Sequence, residues 1–507
     1  MAFQRNHVSD ADRLKIGLHV FLYKSIYGVI TDLARKYVVS RWFIYYCYAQ
    51  FLLLREIQNK LPTSLTPRIG CYDTLEERVL SLYLETEASI SGIRRVLNQL
   101  FGQEVSRGTI SEILTAYGSV LPSYETVTCR LIFVSDEIFV GQPILVTVEP
   151  RSNYLLSLEL VETRDKVTWG ACWFEVVDAE TGHVERIVAD LAKGLVGGIE
   201  ELLGTHQAAQ QVFQGDLFHL IMRLVAGITR AERKAYAAIK QEYAALEKFE
   251  RAKSERTLLK RLAAYETAQA EADQWMQWVD ESRYLFRELQ EVLRVVDLKM
   301  GALRRKADVL AEVETILTLF AEELGDKKIR EGAGYLRDHL DVLLRYFDDV
   351  EAAAKELETV IPDVTVRQDL FRLYALQQQR RVASGRRKRW LEAQWTSCHN
   401  ALLTRIGEAD YTQWAQRVEH TLDGIIRSSS VVENTNGRLR RFFDSARGQI
   451  TQARLNLIRF YLNHKPFERG RRQGHSPAQL FHGEHASSEH WLTLLRRAKE
   501  ATSPVTA

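Results

Sequence analysis

The residues from 130 to 162, RLIFVSDEIFVGQPILVTVEPRSNYLLSLELVE, carry the pattern that decides the fold. Three short runs in this stretch, LIFVSDEIFV, PILVTVEP and NYLLSLELVE, are rich in branched and aromatic residues. Turn-forming residues, GQP at 141–143 and PRSN at 150–153, separate the runs. Short runs of this composition between turn signals predict β-strands. We therefore expect three strands in an antiparallel meander.

The sequence that follows alternates helical and strand signals. A helical stretch, DKVTWGACWFEVVDAE (165–180), leads to a fourth strand, VERIVAD (184–190). A second helix, LAKGLVGGIEELLG (191–204), leads to a fifth strand, QQVFQ (210–214). The order βββαβαβ predicts a mixed sheet covered by helices. It matches the ribonuclease-H-like fold, in which strands one and four are neighbours.

Two helix-turn-helix patterns precede the sheet. Residues 26–53 have apolar side chains at helical spacing, with a break near 38–39 and a restart at Ser40, a good N-cap. The pattern recurs in residues 74–118, where Ser106 can cap a helix suited to a major groove. The side chains of that helix expected to contact DNA are Arg107, Thr109 and Ser111. The alternative for each pattern is a small helical bundle without a role in DNA binding.

Residues 220–427 are almost wholly helix-forming and contain one proline, Pro362. They predict a large all-helical insertion, whose long charged faces could form coiled-coil hairpins. One of its tryptophans could stack on an unpaired base, although core packing is the default for this residue. The tryptophans considered are Trp275, Trp278, Trp390 and Trp395. A helical pair returns at 431–462, and the last residues, 501–507, are expected to be a frayed tail.

Composition narrows the class of protein. The chain has 507 residues, 46% apolar and 26% charged, which fits several soluble domains. It has no apolar run long enough to span a bilayer, and its first residues lack the features of a signal peptide. We therefore expect a cytoplasmic, nucleoid-associated protein. The five cysteines are scattered, which argues against a disulfide framework or a zinc ribbon: Cys47, Cys71, Cys129, Cys172 and Cys398.

Basic residues are concentrated locally although the net charge is only +2. The clusters lie at 380–390, 436–441 and 468–472, as a surface that follows phosphates would require. The residues predicted from the first two clusters to bind DNA are Arg386, Arg387, Lys388, Arg389, Arg438 and Arg441. The alternative is that these runs are solvated helix faces.

Acidic residues occur where strands begin and end. Asp136 lies within the first strand among apolar residues, where a carboxylate is costly unless it is paired or bound to a metal. Asp190 closes the fourth strand, next to the first. Asp216 follows the fifth strand, one interstrand step farther away. Both aspartates immediately precede a helix, so the alternative for each is an N-cap. Because Asp216 lies farther from the first strand, we interpret it as an N-cap and Asp190 as the partner of Asp136.

The third acid is expected from the helix near the carboxyl end. Glu433 shares a helical face with Asn436 and Arg440, so the acid can face metals while the other two reach the DNA backbone. In-line attack on a phosphodiester uses two divalent ions held by converging carboxylates, and Mg²⁺ prefers such oxygen ligands. The predicted catalytic and metal-binding triad is therefore Asp136, Asp190 and Glu433. The residues expected around it are Glu137, Asp216, His219, Asn436 and Arg440.

Several motifs resemble bacterial insertion-sequence transposases of the DDE superfamily, which includes the Mutator-like group. They are DEIFVG, VADLAKGLVGGI, DLFH, VVENTNGRLRR and NHKPFERGRRQGHSPAQL, and they cover about 129–220 and 428–483. The resemblance implies cut-and-paste or copy-type transposition with Mg²⁺ or Mn²⁺ and the triad named above. Asp216 and His219 stand where the Mutator-like pattern has a cysteine and a histidine. Arg440 stands where such enzymes commonly have a basic residue.

The sequence thus predicts a multidomain α+β protein, with a ribonuclease-H-like core interrupted by the helical insertion. The expected domains are two helix-turn-helix domains, the first part of the core, the insertion, the second part of the core and a tail: 1–65, 66–128, 129–220, 221–427, 428–485 and 486–507. The expected partners are double-stranded DNA, as element ends and target, and a second copy of the chain in a dimer or larger assembly. The rival interpretations are a host nuclease of the same fold and a domesticated DNA-binding protein with an inactive core.

Overall fold

The computed structural model of the protein describes most of the chain. The described residues are 8–23, 28–60, 74–128, 130–178, 182–322, 326–446 and 449–502. They divide into two compact units, with the boundary between Leu80 and Ser81. None of the described helices has the length and apolar character needed to cross a bilayer. Two of the cysteines, Cys71 and Cys129, and the tail residues 503–507 lie outside the described residues.

The first unit is helical. It contains α1 (Asp10–Tyr23), α2 (Val29–Lys36), α3 (Arg41–Lys60) and the first half of α4 (Leu75–Thr86). Its core consists of buried apolar side chains from α1, α2 and α3, among them Ile16, Leu33 and Ile44. The Ser40 hydroxyl accepts a hydrogen bond of 3.2 Å from the backbone N–H of Phe43. The predicted break before Ser40, and the cap at Ser40, are therefore confirmed.

The second unit contains the sheet and most of the helices. Its elements up to the end of the sheet are α5 (Ile90–Phe101), α6 (Arg107–Gly118), β1 (Arg130–Val140), β2 (Gln142–Glu149), β3 (Tyr154–Leu160), α7 (Lys166–Val176), β4 (His183–Ala189), α8 (Lys193–Leu203), α9 (His206–Val212) and β5 (Phe213–Gly215). The strand order is β3-β2-β1-β4-β5. The first three strands are antiparallel, whereas β1, β4 and β5 are parallel. The predicted meander and mixed sheet are thus confirmed, with strand one beside strand four.

The fifth strand is shorter than the sequence predicted. Residues 210–212 belong to α9, because the hydroxyl of Thr205 caps this helix through the backbone N–H of Ala208 and the residues that follow favour a helix. The strand itself is limited to Phe213–Gly215. Its three residues pair with the last residues of β4, so the carboxyl ends of β4 and β5 are aligned.

The sheet separates two helical layers, and alternation along β1 decides which layer each side chain faces. Phe133 packs on Trp173 of α7, with ring centroids 5.7 Å apart. The indole N–H of Trp173 donates to the hydroxyl of Ser135 at 3.1 Å. Odd-numbered residues of β1 therefore face α7. The side chain of Asp136 points to the opposite layer.

The helical insertion has its own hydrophobic core. Its elements are α10 (Leu217–Glu250), α11 (Glu255–Val292), β6 (Val296–Asp297), β7 (Ala302–Leu303), α12 (Lys306–Glu322), α13 (Lys327–Arg337), α14 (Leu340–Leu343), α15 (Tyr346–Val360), α16 (Val364–Val382) and α17 (Gly385–Asp423). As predicted, α10 and α11 form a long helical hairpin. The prediction that this region is all helix is wrong at one point, because β6 and β7 form a small antiparallel hairpin.

The last part of the chain returns to the sheet. It comprises α18 (Ser430–Ala446), α19 (Gln452–His464), α20 (Pro477–His482), a short 3₁₀ turn (Gly483–His485) and α21 (Trp491–Thr502). Residues 491–502, expected within a tail, thus form a helix in which Trp491 is buried. The two helices α18 and α19 lie on the layer that Asp136 faces.

Polar side chains of α19 fasten this helix to the sheet. The buried guanidinium of Arg459 donates to the carbonyl oxygens of Leu155 and Leu156 at 3.0 and 3.2 Å. The amide of Asn463 exchanges hydrogen bonds with the backbone of Leu155 at 2.8 and 3.0 Å. Because unpaired backbone groups are costly when buried, these contacts fix α19 against β3.

Candidate functional site

The parallel pairing of β1 and β4 aligns the first two predicted acids. Val134 pairs with Val188, so the positions two residues farther along, Asp136 and Asp190, are equivalent on neighbouring strands. Adjacent strands are roughly 4.8 Å apart, and equivalent positions face the same side of a sheet. Asp136 lies within β1, and Asp190 follows the last residue of β4.

Helix α18 lies over this pair and carries the third predicted acid. Its Asn436 side chain is buried and donates a hydrogen bond of 2.7 Å from Nδ2 to Oδ2 of Asp136. Glu433 lies about one helical turn earlier on the same face. Asn436 therefore lies beside the triad as expected, but it is buried and its amide holds α18 against Asp136, so the expectation that it reaches the DNA backbone is wrong.

The electrostatics of Asp136 show that the acids are near one another. Burial raises the pKa of Asp136 to about 6, and the negative charges of Glu433 and Asp190 act in the same direction. The charge of His219 opposes them. Neighbouring carboxylates repel, so the ionised state of this cluster is costly without a compensating cation.

Asp216 performs a different task. Its side chain is fully buried and caps α10, since Oδ1 accepts a hydrogen bond of 3.0 Å from the backbone N–H of Phe218. The same oxygen accepts from the backbone N–H of Ser429 at 2.9 Å, and Oδ2 accepts from the Ser429 hydroxyl and from Nδ1 of His219. The interpretation of Asp216 as an N-cap is confirmed. The structure adds that it joins α10 to the residue preceding α18.

His219 links Asp216 to Glu433. Its Nε2 lies 3.3 Å from Oε1 of Glu433, while Nδ1 is bonded to Asp216. The hydrogen bond to Asp216 raises the pKa of His219 to about 9, although burial opposes this. Although burial also opposes ionisation of Asp216, the hydrogen bonds from His219 and Ser429 hold its pKa below the usual value. His219 is therefore half-buried with both ring nitrogens engaged by carboxylates, and its raised pKa favours the charged form at neutral pH.

Ser429 was missed by the sequence analysis. The run of three serines before Val431 signals a helix start, which is a local pattern. The partner of Ser429 is Asp216, which is more than two hundred residues away in the chain. No local signal indicates that pairing.

Two other residues expected around the triad do not join it. Glu137 follows Asp136 in the strand and therefore faces the other layer, where it forms an ion pair with Arg164. Glu137 was expected around the triad, and the structure instead gives it a structural role in this ion pair. Arg440 lies on the exposed side of α18.

The predicted DNA-contacting helix α6 packs against α19. Arg454 of α19 donates a hydrogen bond of 3.1 Å to the hydroxyl of Ser111, so this side chain is turned towards the protein. The backbone N–H of Thr109 bonds to the Ser106 hydroxyl at 3.0 Å, which confirms the predicted cap. Arg107 is exposed. The Ser111 hydroxyl is thus engaged within the protein, and DNA contact by Arg107, Thr109 and Ser111 stays a prediction.

The predicted basic residues of the insertion border the loop that leads to α18. All four side chains at 386–389 are exposed at the start of α17. Burial lowers the pKa of Arg294, and the like charges of Arg387 and Arg427 lower it further. Arg427 lies two residues before Ser429 in the chain. Arg387 of the basic string and Arg427 of the loop before α18 therefore both lie near Arg294.

Some of the remaining candidate tryptophans and arginines pack inside the protein, and others are exposed. Trp275 and Trp278 make an edge-to-face contact and pack on the insertion core, as does Trp395. Trp390 is 56% exposed. Arg438 is half-buried beside α19, and Arg441 lies 3.7 Å from a carboxylate oxygen of Glu87.

Among the described residues, no group of three or more His, Cys, Asp and Glu side chains is arranged closely enough to hold a metal ion. Comparison of the chain with profiles of known protein families found no match, and a search of curated proteins found no similar sequence.

Proposed function

We propose that the protein is a DDE-type DNA transposase that cuts and joins DNA in a ribonuclease-H-like core. The observation that carries this proposal is the alignment of Asp136 with Asp190 on parallel neighbouring strands, with Glu433 on the helix above them. The strand order and directions agree with those expected of this fold. Function depends on the site rather than on the fold, so the acids carry the argument.

The chemistry of the cluster fits divalent cations. Carboxylate oxygens are ligands that Mg²⁺ and Mn²⁺ prefer. Burial is the main cause of the raised pKa of Asp136, and the charges of Glu433 and Asp190 add to it, so a cation at this place would compensate the ionised carboxylates. Oδ1 of Asn436 is buried and has no hydrogen-bond partner within the described part of the chain. Such an orphaned acceptor suits a water molecule of a hydrated ion. Bound ions would supply activation of the attacking oxygen and stabilisation of the leaving oxygen.

The residues around the acids have supporting roles in this proposal. Asn436 orients the carboxylate of Asp136, and the charged His219 orients that of Glu433. Asp216 holds His219 in its charged state and connects it to Ser429 at the start of α18. Partners of this kind orient metal ligands and commonly affect activity by about 10–100-fold.

Positive charge near the acids suits a DNA substrate. Arg387 and Arg427 are exposed and close enough to Arg294 for their charges to repel, an arrangement that phosphate groups would stabilise. We propose that the basic string at 386–389 contacts the element ends, that Arg107 and the amino-terminal unit assist, and that two copies hold two ends together. These roles imply a nucleoid-associated protein.

The experiment uses the full chain with plasmid DNA carrying the sequences that flank its reading frame. Asp136→Asn, Asp190→Asn and Glu433→Gln are each expected to reduce Mg²⁺-dependent cleavage by at least about 100-fold. Glu137→Gln is the matched control, because this acid neighbours Asp136 in the chain but faces the other layer. Undiminished cleavage in the three variants would refute the proposal.

The products distinguish the rival interpretations. Sequencing of joined products that carry a short target duplication supports a transposase. Cleavage without joining indicates a nuclease of the same fold. Binding of the flanking DNA without cleavage by the wild-type chain indicates a DNA-binding protein with an inactive core.

A further inference from the structure

A cleft of about 910 Å³ lies beside α18, on a different side from the acids. It is formed by α18, by the carboxyl end of α19 and by the segment that follows α19. Residues that line it include Asn434, Arg438, Arg441, Lys465, Arg469 and Arg472. Positions 434, 438 and 441 share a helical face that is rotated by roughly 100° from Glu433. A ligand in the cleft would therefore lie along the helix that carries the third acid.

Part of the positive charge in the cleft is neutralised by the protein. Lys465 lies 3.0 Å from a carboxylate oxygen of Glu85. Arg471 forms ion pairs with Glu419 and Asp423 at the end of α17. These pairs hold the segment after α19 against the insertion, and they define one wall of the cleft.

Three arginines of the cleft have no ion-pair partner among the described residues. Arg438 is half-buried, and Glu87 influences its charge without forming an ion pair with it. Arg472 donates a hydrogen bond of 3.4 Å to the carbonyl oxygen of Pro150, a neutral acceptor. Arg469 is exposed at the rim. Arg438 and Arg472 are half-buried, and the carboxylates that act on them, Glu87 and Glu468 for the first and Glu149 for the second, form no ion pair with them. Partly desolvated guanidinium groups without a direct anionic partner favour an external anion.

We infer that this cleft binds the phosphodiester backbone of the DNA segment next to the cleaved position, through Arg438, Arg469 and Arg472. The inference rests on the proposed function. Guanidinium groups present several N–H donors and suit phosphate oxygens, and three of them along one cleft can contact successive phosphates. The cleft and the acids use two faces of the same helix, so one DNA molecule can contact both.

The test measures DNA binding by the full chain, using fluorescence anisotropy with a labelled duplex of flanking sequence at several salt concentrations. The double variant Arg469→Gln, Arg472→Gln is expected to bind at least 10-fold more weakly. Its salt dependence should be shallower, because each lost phosphate contact reduces the slope of log K against log salt by about 0.9. Arg330→Gln removes an exposed arginine of α13 that no described residue pairs with, and it should leave both quantities unchanged.

Arg438 is tested by a pair of substitutions, because loss of a half-buried side chain can disturb folding. Arg438→Gln should weaken binding, and Arg438→Lys should restore most of it by keeping the charge. Circular dichroism and thermal unfolding identify a variant that has lost its fold. If Arg438→Gln is such a variant, the DNA affinity of the variant at the exposed Arg469 tests the inference instead. Unchanged affinity and slope in the Arg469 and Arg472 variants would overturn the inference.

Two further measurements separate the possible ligands and the two proposals. Inorganic phosphate at millimolar concentration should displace no more duplex than another salt of the same ionic strength does. Greater displacement by phosphate would show that the cleft is a site for free phosphate and would overturn the inference. Within an Asp136→Asn background, the double variant Arg469→Gln, Arg472→Gln should weaken DNA binding by the same factor as in the wild type, because the cleft is separate from the acids. If Asp136→Asn cleaves DNA normally while the arginine variants bind weakly, the proposed catalytic site fails and the cleft remains.

Discussion

Replacing Asp136 by asparagine is expected to stabilise the protein while it removes the proposed activity. Burial and the charges of Glu433 and Asp190 raise the pKa of Asp136 from 3.8 to about 6. Each unit of pKa corresponds to 1.36 kcal/mol, so keeping this carboxylate ionised at pH 7.5 costs roughly 3 kcal/mol. Asparagine carries no charge, and its side-chain oxygen can still accept the hydrogen bond from Asn436. The variant should therefore gain up to roughly 3 kcal/mol in the free energy of unfolding.

The dependence on pH follows from the sign of the pKa change. The folded state binds the proton of Asp136 more tightly than the unfolded state does. Ionisation of this carboxyl group therefore lowers the free energy of unfolding of the protein as pH rises from about 4 to about 6. The advantage of Asp136→Asn should be small at pH 4 and complete above about pH 7. Differential scanning calorimetry without divalent ions should show a rise of about 3 °C in Tm at pH 7.5, since the entropy of unfolding is large for a unit of this size.

Glu137→Gln is again the control, because its side chain lies on the other layer and its pairing with Arg164 is exposed to solvent. It should change Tm by less than about 1 °C. A lower Tm for Asp136→Asn at pH 7.5, or an equal difference at pH 4 and pH 7.5, would refute the electrostatic reasoning.

Three other changes test the packing and the cluster. Asp216→Asn should lower the free energy of unfolding, measured by urea titration, by about 3 kcal/mol, because it breaks the buried charged pair with His219. The control is Asp363→Asn at an exposed N-cap, which should cost less than about 0.5 kcal/mol. Equal costs for the two variants would contradict the role of the pair. Gly118→Ala should cost about 2–3 kcal/mol, because its methyl group would overlap the carbonyl oxygen of Ala453, whereas Gly334→Ala meets open space and should be neutral or stabilising. Millimolar Mg²⁺ should raise the Tm of the wild type, because binding to the folded state adds about 2.7 kcal/mol to the free energy of unfolding at 100 times Kd. The same titration should have little effect on Glu433→Gln, and an equal rise in both would exclude this glutamate as a ligand.

Much of the architecture could be predicted from local patterns. The turn residues at 141–143 and 150–153 delimit the strands of the meander, and Ser40 and Ser106 cap the helices that follow them. The fifth strand was predicted too early because 210–212 read equally well as strand or helix. The cap at Thr205 starts α9, and this helix continues through residues 210–212.

The sequence by itself determined most of the elements of this protein, the place of Asp136 within the first strand and that of Asp190 at the end of the fourth, because periodicity and capping act over a few residues. Only the tertiary structure decided the partners of these acids. Asn436 meets Asp136 across 300 residues, Ser429 meets Asp216 across 213, and Ser111 faces Arg454 rather than solvent. Such pairings depend on how α6, α18 and α19 pack on the sheet, and packing is set by the shapes of distant surfaces that no local pattern records.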